Sequence, residues 1–271
     1  MTNFIKRALS GVIFAGVLIF SILYSKISFI TLFFILMIFC LYEFKKMIQL
    51  KSIFPYLIGT LLFIFVNIMG LEDIPKKMIF EYVGVALFLT IFISFASILF
   101  AKKEEVISHL GKIFLSIIYI VVPFTLIVKI PFLNTTFNYV NTTILGVFLL
   151  IWTNDTFAYL VGKNFGKHKL LERISPNKTI EGFIGGMFFT FTLSYFLAQQ
   201  FTTLSLVQWI VIAGIVSIFG VLGDLIESMF KRQAGVKDSS NFIPGHGGFL
   251  DRFDSVIFAA PFIFIYLQFV Q

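Results

Sequence analysis

Residues 228–254 read Ser-Met-Phe-Lys-Arg-Gln-Ala-Gly-Val-Lys-Asp-Ser-Ser-Asn-Phe-Ile-Pro-Gly-His-Gly-Gly-Phe-Leu-Asp-Arg-Phe-Asp and join two long apolar runs. Among them stand the cations Lys231, Arg232, Lys237 and Arg252, the acids Asp238, Asp251 and Asp254, and the turn Gly245-His246-Gly247-Gly248. Cations suit phosphates, and carboxylates suit a hard divalent ion that keeps substrate phosphates among its ligands. Gly247 and Gly248 let backbone amides approach an anion closely. His246 has two readings, a general base or a neutral donor that orients the turn. Asp251 and Asp254 lie one helical turn apart at the start of the last apolar run. They could face a metal, or cap that helix and complement its dipole. A loop needed only for solubility has little use for so many cations, acids and glycines together. The segment reads as a phosphate-and-metal site at a membrane surface.

Two further constellations feed the same chemistry. Gly220, Gly223, Asp224, Glu227, Ser228 and Lys231 fall into one stripe at helical spacing, so a small, polar face is expected to border a protein cavity. Two acids one turn apart repel unless a cation lies beside them. Asp224 reads as a metal ligand, and Glu227 either as a second ligand or as the i,i+4 ion-pair partner of Lys231. Upstream, Ser175-Pro176-Asn177-Lys178-Thr179-Ile180-Glu181-Gly182 reads as a helix start, with Ser175 as cap and Pro176 in the first turn. Free amides at such a start bind phosphate, and Lys178 adds a mobile positive charge. Asp155 and Tyr159 share a face near the end of the preceding run. Asp155 is a ligand for metal or ribose, or the partner of a lysine such as Lys178.

Composition dictates which elements hold these residues. The chain has 271 residues, 58% hydrophobic and 13% charged, with 38 Phe. Its apolar runs are continuous rather than alternating, and about 20 apolar residues suffice to cross a bilayer, so they read as membrane helices. About nine spans are expected, near 9–25, 27–43, 53–70, 78–100, 111–130, 143–162, 180–200, 206–230 and 254–270, with boundaries uncertain by a few residues. Lys6-Arg7 before the first run resemble a signal peptide, but no small-residue cleavage site stands out, and the helix is expected to be retained. The single Cys40 excludes an internal disulfide and reads as a small buried hydrophobe.

Assigning span ends alternately to two sides places 17 of the 21 Lys and Arg residues on one of them. That side is expected to be cytoplasmic, with the N-terminus inside and the C-terminus outside. The net charge of +7 then orients the chain and requires no nucleic-acid partner. The expected architecture is all-α and polytopic. Residues 1–142 form a scaffold whose five spans are nearly free of ionisable groups, where Asn67 reads as a helix–helix hydrogen bond. Residues 143–271 form a catalytic region with cytoplasmic loops 163–179 and 231–253. Acids within spans are costly, so Glu181 is a candidate beside Asp155, Asp224 and Glu227.

In order, Ser228, Lys231-Arg232, Lys237-Asp238, Pro244 to Gly248, Asp251-Arg252 and Asp254 resemble the C-terminal motif of the bacterial phosphatidate cytidylyltransferase (CDP-diacylglycerol synthase) family. Asp155 to Gly162, Ser175 to Gly182 and Gly223 to Ser228 resemble it too. The likeness is specific over about 150–254 and rests only on the span pattern over 1–149. Asn177 departs from it, standing where the family often has Lys. The resemblance implies CTP and phosphatidic acid as substrates, with CDP-diacylglycerol and pyrophosphate as products. It implies Mg²⁺ near Asp224 and Asp251 with a second, monovalent or divalent, cation, a homodimer, and a place in the bacterial cytoplasmic membrane. Catalytic parts fall to Asp224, Asp251, Lys178, His246 and Asp254. Substrate contacts fall to Ser175, Thr179, Ser228, Lys231, Arg232, Lys237, Asp238, Gly247, Gly248, Arg252 and Asp155, and Glu227 is expected to join Asp224 and Asp251 at the metal. Two readings compete. A CTP-dependent lipid kinase would transfer the γ-phosphate instead, and an anion transporter would spread polar residues over both halves of the membrane.

Overall fold

The structure, a computed structural model, describes residues 3–67, 76–100, 106–133, 138–245 and 247–270. Among the described residues the chain forms nine helices: α1 (Asn3–Tyr24), α2 (Lys26–Met47), α3 (Phe54–Asn67), α4 (Lys76–Phe100), α5 (Val106–Phe132), α6 (Asn141–Phe165), α7 (Ile180–Gln200), α8 (Leu206–Gln233) and α9 (Leu250–Val270). Each begins and ends within a few residues of an expected span, because continuous apolar runs bounded by charges leave little choice of register. Six of them, α2 and α5 to α9, are long and apolar enough to cross a membrane. The apolar stretches of the other three, Leu9–Tyr24, Phe54–Asn67 and Tyr82–Ala96, are shorter. Large apolar side chains such as Phe88, Phe92, Phe188 and Phe196 point outward, as lipid-facing groups do.

The all-α class holds, with one short departure. Between α6 and α7 the chain makes an antiparallel hairpin, β1 (Lys169–Leu171) with β2 (Ser175–Thr179), with Lys169 opposite Thr179 and Leu171 opposite Ser175. Ser175 is therefore not a helix cap, and Pro176 lies in a strand. The cap is Thr179, whose extended backbone precedes α7 and whose hydroxyl accepts from the Gly182 N–H at 3.1 Å. Thr179 and Ser175 are both capping residue types, but the hairpin commits Ser175 to strand pairing and leaves Thr179 at the true start. Glu181 locks the base of this hairpin. It accepts from the Lys167 N–H at 3.0 Å and pairs with His168 Nδ1 at 2.6 Å. Asn67 also differs from expectation, since its amide donates to the Phe63 carbonyl of its own helix at 2.9 Å.

Three packing features fix the site. First, α6 and α7 lie close along Gly162, Gly182 and Gly186, and a Cβ on Gly182 would collide with the Ala158 carbonyl. Small residues are what allow two membrane helices to approach in this way. Second, a Cβ on Gly223 would strike the Asp254 carbonyl, so α8 rests directly on the first turns of α9. The small members of the polar stripe thus face α9, which corrects the expectation that the whole stripe borders a cavity. Third, Phe253 is buried between Asp251 and Asp254, its ring 5.3 Å from Phe124 and 6.0 Å from Phe33. That aromatic cluster ties α2, α5 and α9 into one core, and such ring pairs contribute about 0.5–1.5 kcal/mol beyond area burial. Cys40 is wholly buried, in the same core.

Candidate active site

A cavity of about 700 Å³ opens between α6, the hairpin, α8 and the start of α9. From α6 come Asp155, Tyr159 and Lys163; from the hairpin and α7, Ser175, Asn177, Lys178 and Thr179; from α8, Asp224 and Lys231. The loop and α9 add Asp238, Asp251, Arg252 and Asp254. Ten of the residues expected from sequence therefore share one wall or another of a single cavity: Asp155, Ser175, Lys178, Thr179, Asp224, Lys231, Asp238, Asp251, Arg252 and Asp254. Ser228, Arg232, Lys237, Glu227, Gly247 and Gly248 do not line it. His246 lies outside the described residues.

Two lysines, in three ion pairs, organise the cavity. Lys178 Nζ sits 2.6 Å from Asp224 Oδ2, with both side chains partly exposed. The lysine thus meets Asp224 rather than Asp155. Ser228 donates to the other oxygen of Asp224 at 3.3 Å. Deeper in, Lys231 Nζ bridges Glu227 Oε2 and Asp251 Oδ1, each at 2.7 Å. Glu227 is wholly buried behind the cavity and takes the ion-pair role that its spacing to Lys231 allowed. A buried pair of this kind has little net worth, but removing one partner strands the other charge and costs about 3–5 kcal/mol.

Asp251 is held by the protein on both oxygens. Oδ1 meets Lys231, and Oδ2 accepts from the Gly248 N–H at 2.8 Å and the Ser239 N–H at 2.9 Å. The Ser239 hydroxyl, whose single proton Glu43 and Asp251 share, also lies 2.9 Å from Oδ2. Asp155 and Asp254 are less committed. Asp155 meets the Ser255 hydroxyl at 3.5 Å, and Asp254 accepts from the Ser255 N–H at 2.7 Å. The approach of the loop to Asp251 depends on glycine. Gly245 and Gly247 have φ of 78° and 80°, a region L side chains avoid, and together they turn the chain so that Ile243 pairs with Gly247.

Among the described residues, no cluster of three or more His, Cys, Asp or Glu could hold a metal by itself. The donor set suits a hard cation in another way. Asp155, Asp224 and Asp254 offer carboxylate oxygens to one cavity that also presents Lys178 and Arg252. Mg²⁺ is commonly bound by one or two carboxylates with waters and substrate phosphates completing its shell. Asp224, Asp155 and Asp254 fit that demand, and Asp251 Oδ1, which meets Lys231 alone, keeps a lone pair for the same ion.

Sequence reasoning missed two groups here. Lys163 lines the cavity near the Tyr159 ring, and its place in a basic loop was the only signal. Glu43, near the end of α2, is 0% exposed and accepts hydrogen bonds from Ser239, Ser240, Phe249 and Leu250. No spacing rule links residues about two hundred positions apart.

Comparison with known proteins gives a consistent picture. The phosphatidate cytidylyltransferase of Bacillus subtilis (strain 168) is 36% identical over 276 residues, covering 98% of this chain and 98% of its own. That of Staphylococcus aureus (strain COL) is 53% identical over 126 residues, 46% of this chain and 48% of its own, and that of Staphylococcus saprophyticus is 49% identical over a stretch of the same length. The sequence profile of the cytidylyltransferase family matches residues 5–270, so the chain belongs to that family.

Proposed function

We propose that the protein transfers the cytidylyl group of CTP to phosphatidic acid, giving CDP-diacylglycerol and pyrophosphate. The observation that carries this reading is the cavity that gathers Lys178, Arg252 and five aspartates between apolar helices in a member of this family. Such a cavity suits a triphosphate, while the apolar helix faces suit acyl chains. A phosphate oxygen of phosphatidate attacks the α-phosphorus of CTP in line. The bond from that phosphorus to the bridging oxygen of the β-phosphate breaks, and pyrophosphate carries away the electron pair. The nucleophile is already an anion near neutral pH, so no strong base is required, and His246 is assigned a positioning part.

Lys178 and Arg252, helped by Arg232 and Lys237, hold phosphate oxygens and stabilise the charge that moves onto the leaving group. Asp224, with Asp155, Asp251 or Asp254, would hold Mg²⁺, which would supply Lewis-acid neutralisation of phosphate oxygens. Ser175, Thr179, Ser228, Asp238, Gly247 and Gly248 shape the surroundings of the substrates, and a second cation has its place among the same acids.

The full reading includes nine spans, with the N-terminus and loops 163–179 and 231–253 on the cytoplasmic side and the C-terminus outside. The excess of Lys and Arg on that side supports it, as does CTP's supply from the cytoplasm. A bacterial cytoplasmic membrane and a homodimer belong to the same proposal. The decisive assay offers purified protein phosphatidate, Mg²⁺ and CTP labelled at the α- or γ-phosphate. Label from the α-phosphate in the lipid, with the γ-label released as pyrophosphate, supports the proposal. The γ-label on a lipid alcohol, in a parallel assay offering polyprenol or diacylglycerol, makes the protein a kinase.

A further inference from the structure

Glu43 belongs to a helix whose other buried residues are almost all apolar, yet its carboxylate reaches the segment that carries the chemistry. Oε1 accepts from the Ser240 hydroxyl at 2.6 Å and the Phe249 N–H at 3.0 Å. Oε2 accepts from the Ser239 hydroxyl at 2.8 Å and the Leu250 N–H at 2.8 Å. Phe249 and Leu250 bring two of the amides that a helix start leaves unpaired, so a side chain from α2 caps α9. Ser239 then links Glu43 to the site, since its hydroxyl also lies 2.9 Å from Asp251 Oδ2. Gly248 is part of the same arrangement, because a Cβ there would collide with the Glu43 carboxylate and the Ser239 hydroxyl. Its missing side chain serves this contact, a use of the glycine distinct from approach to a phosphate.

We infer that Glu43 is a positioning residue, which pins Ser239, Ser240, Phe249 and Leu250 to α2 and through Ser239 sets the orientation of Asp251 for cytidylyl transfer. The inference rests on the function proposed above. It differs from a general packing role in a way that an isosteric change exposes. Both oxygens of Glu43 accept two hydrogen bonds, and each meets one backbone N–H. Glutamine has the same shape, but whichever way its amide turns, an NH₂ group faces the N–H of Phe249 or Leu250. Misplacing a group by about 1 Å can cost roughly 100-fold in rate.

The test uses the full chain in detergent, comparing Glu43→Gln, Ser239→Ala and Ser240→Ala with the unaltered protein. Expected for Glu43→Gln is a cooperative melt, a kcat lowered roughly 10- to 100-fold with KM for CTP little changed, and faster amide hydrogen exchange confined to 239–250. Ser239→Ala should lower kcat more than Ser240→Ala, because only Ser239 touches Asp251. Unchanged kcat in Glu43→Gln overturns the inference. So does exchange that rises evenly through all helices, which marks general destabilisation. Should Glu43→Gln fail to fold, the two serine variants decide, and equal effects from both sink the idea. If the unaltered chain transfers no cytidylyl group, the functional reading fails, while the exchange comparison still decides whether Glu43 anchors the segment.

Discussion

At the scale of single residues, the two lysines of the cavity do different work, because their surroundings differ. Lys178 and Asp224 are each partly open to solvent, so their attraction is screened and contributes at most about 1 kcal/mol. Lys231 lies between two acids, one of them wholly buried, and its loss leaves Glu227 without a cation. Lys178→Ala should therefore keep the melting temperature within a few degrees while lowering cytidylyl transfer by about 100-fold or more, as expected when a group that stabilises transition-state charge is lost. Lys231→Met should instead lower stability by about 3–5 kcal/mol, seen as an early thermal transition. A double change, Lys231→Met with Glu227→Gln, should recover much of that stability without recovering activity. If Lys178→Ala melts early, or Lys231→Met does not, this division is wrong. Asp224→Asn should abolish transfer and leave the fold intact, and near-normal turnover in it would remove Asp224 from the site.

At the scale of elements, the site is held by close helix contacts and one shared aromatic core. Gly182→Leu should force α7 away from α6, because the new side chain meets the Ala158 carbonyl and Gly162. Thr179 and Lys178 move with α7, so activity should fall, while Ile184→Leu on the exposed face of the same helix should do nothing to turnover. Equal effects of the two would mean that helix contact does not set the cavity. How much of this was legible in the sequence follows from the same physics. Spans could be read because a bilayer demands long apolar runs, and most site residues could be read because a charge inside or beside such a run needs a reason. The hairpin could not, since Ser175-Pro176 is a good helix start by local rules, and only its pairing with Lys169–Leu171 overrules them. Glu43 could not, since it stands beside Lys45 and Lys46 like any acid at a membrane surface, and its four donors arrive from a segment distant in sequence. Local spacing finds residues that share one helix, and misses partners that only the assembled fold brings together.

At the scale of the molecule, every polar feature of the site gathers at one end of the helices that carry it, which is why orientation matters to function. Asp155 and Asp224 come from the second halves of α6 and α8, Lys178 from the hairpin and Asp251 from the first turn of α9. A triphosphate cannot cross the apolar interior, so the proposed reaction requires this end to face the compartment that holds CTP. The arrangement can be tested without any activity. The only native cysteine, Cys40, is wholly buried and should resist a membrane-impermeant maleimide. Val236→Cys places an exposed thiol in the loop that leads to the Gly-rich turn, and Thr202→Cys places one between α7 and α8, at the opposite end of α8. In right-side-out vesicles Thr202→Cys should label and Val236→Cys should not. Inverted vesicles should reverse the pattern, and millimolar CTP with Mg²⁺ should slow labelling at Val236→Cys only. Labelling of Val236→Cys from the outside would place the cavity away from its nucleotide, and the proposed reaction could not then run in this membrane.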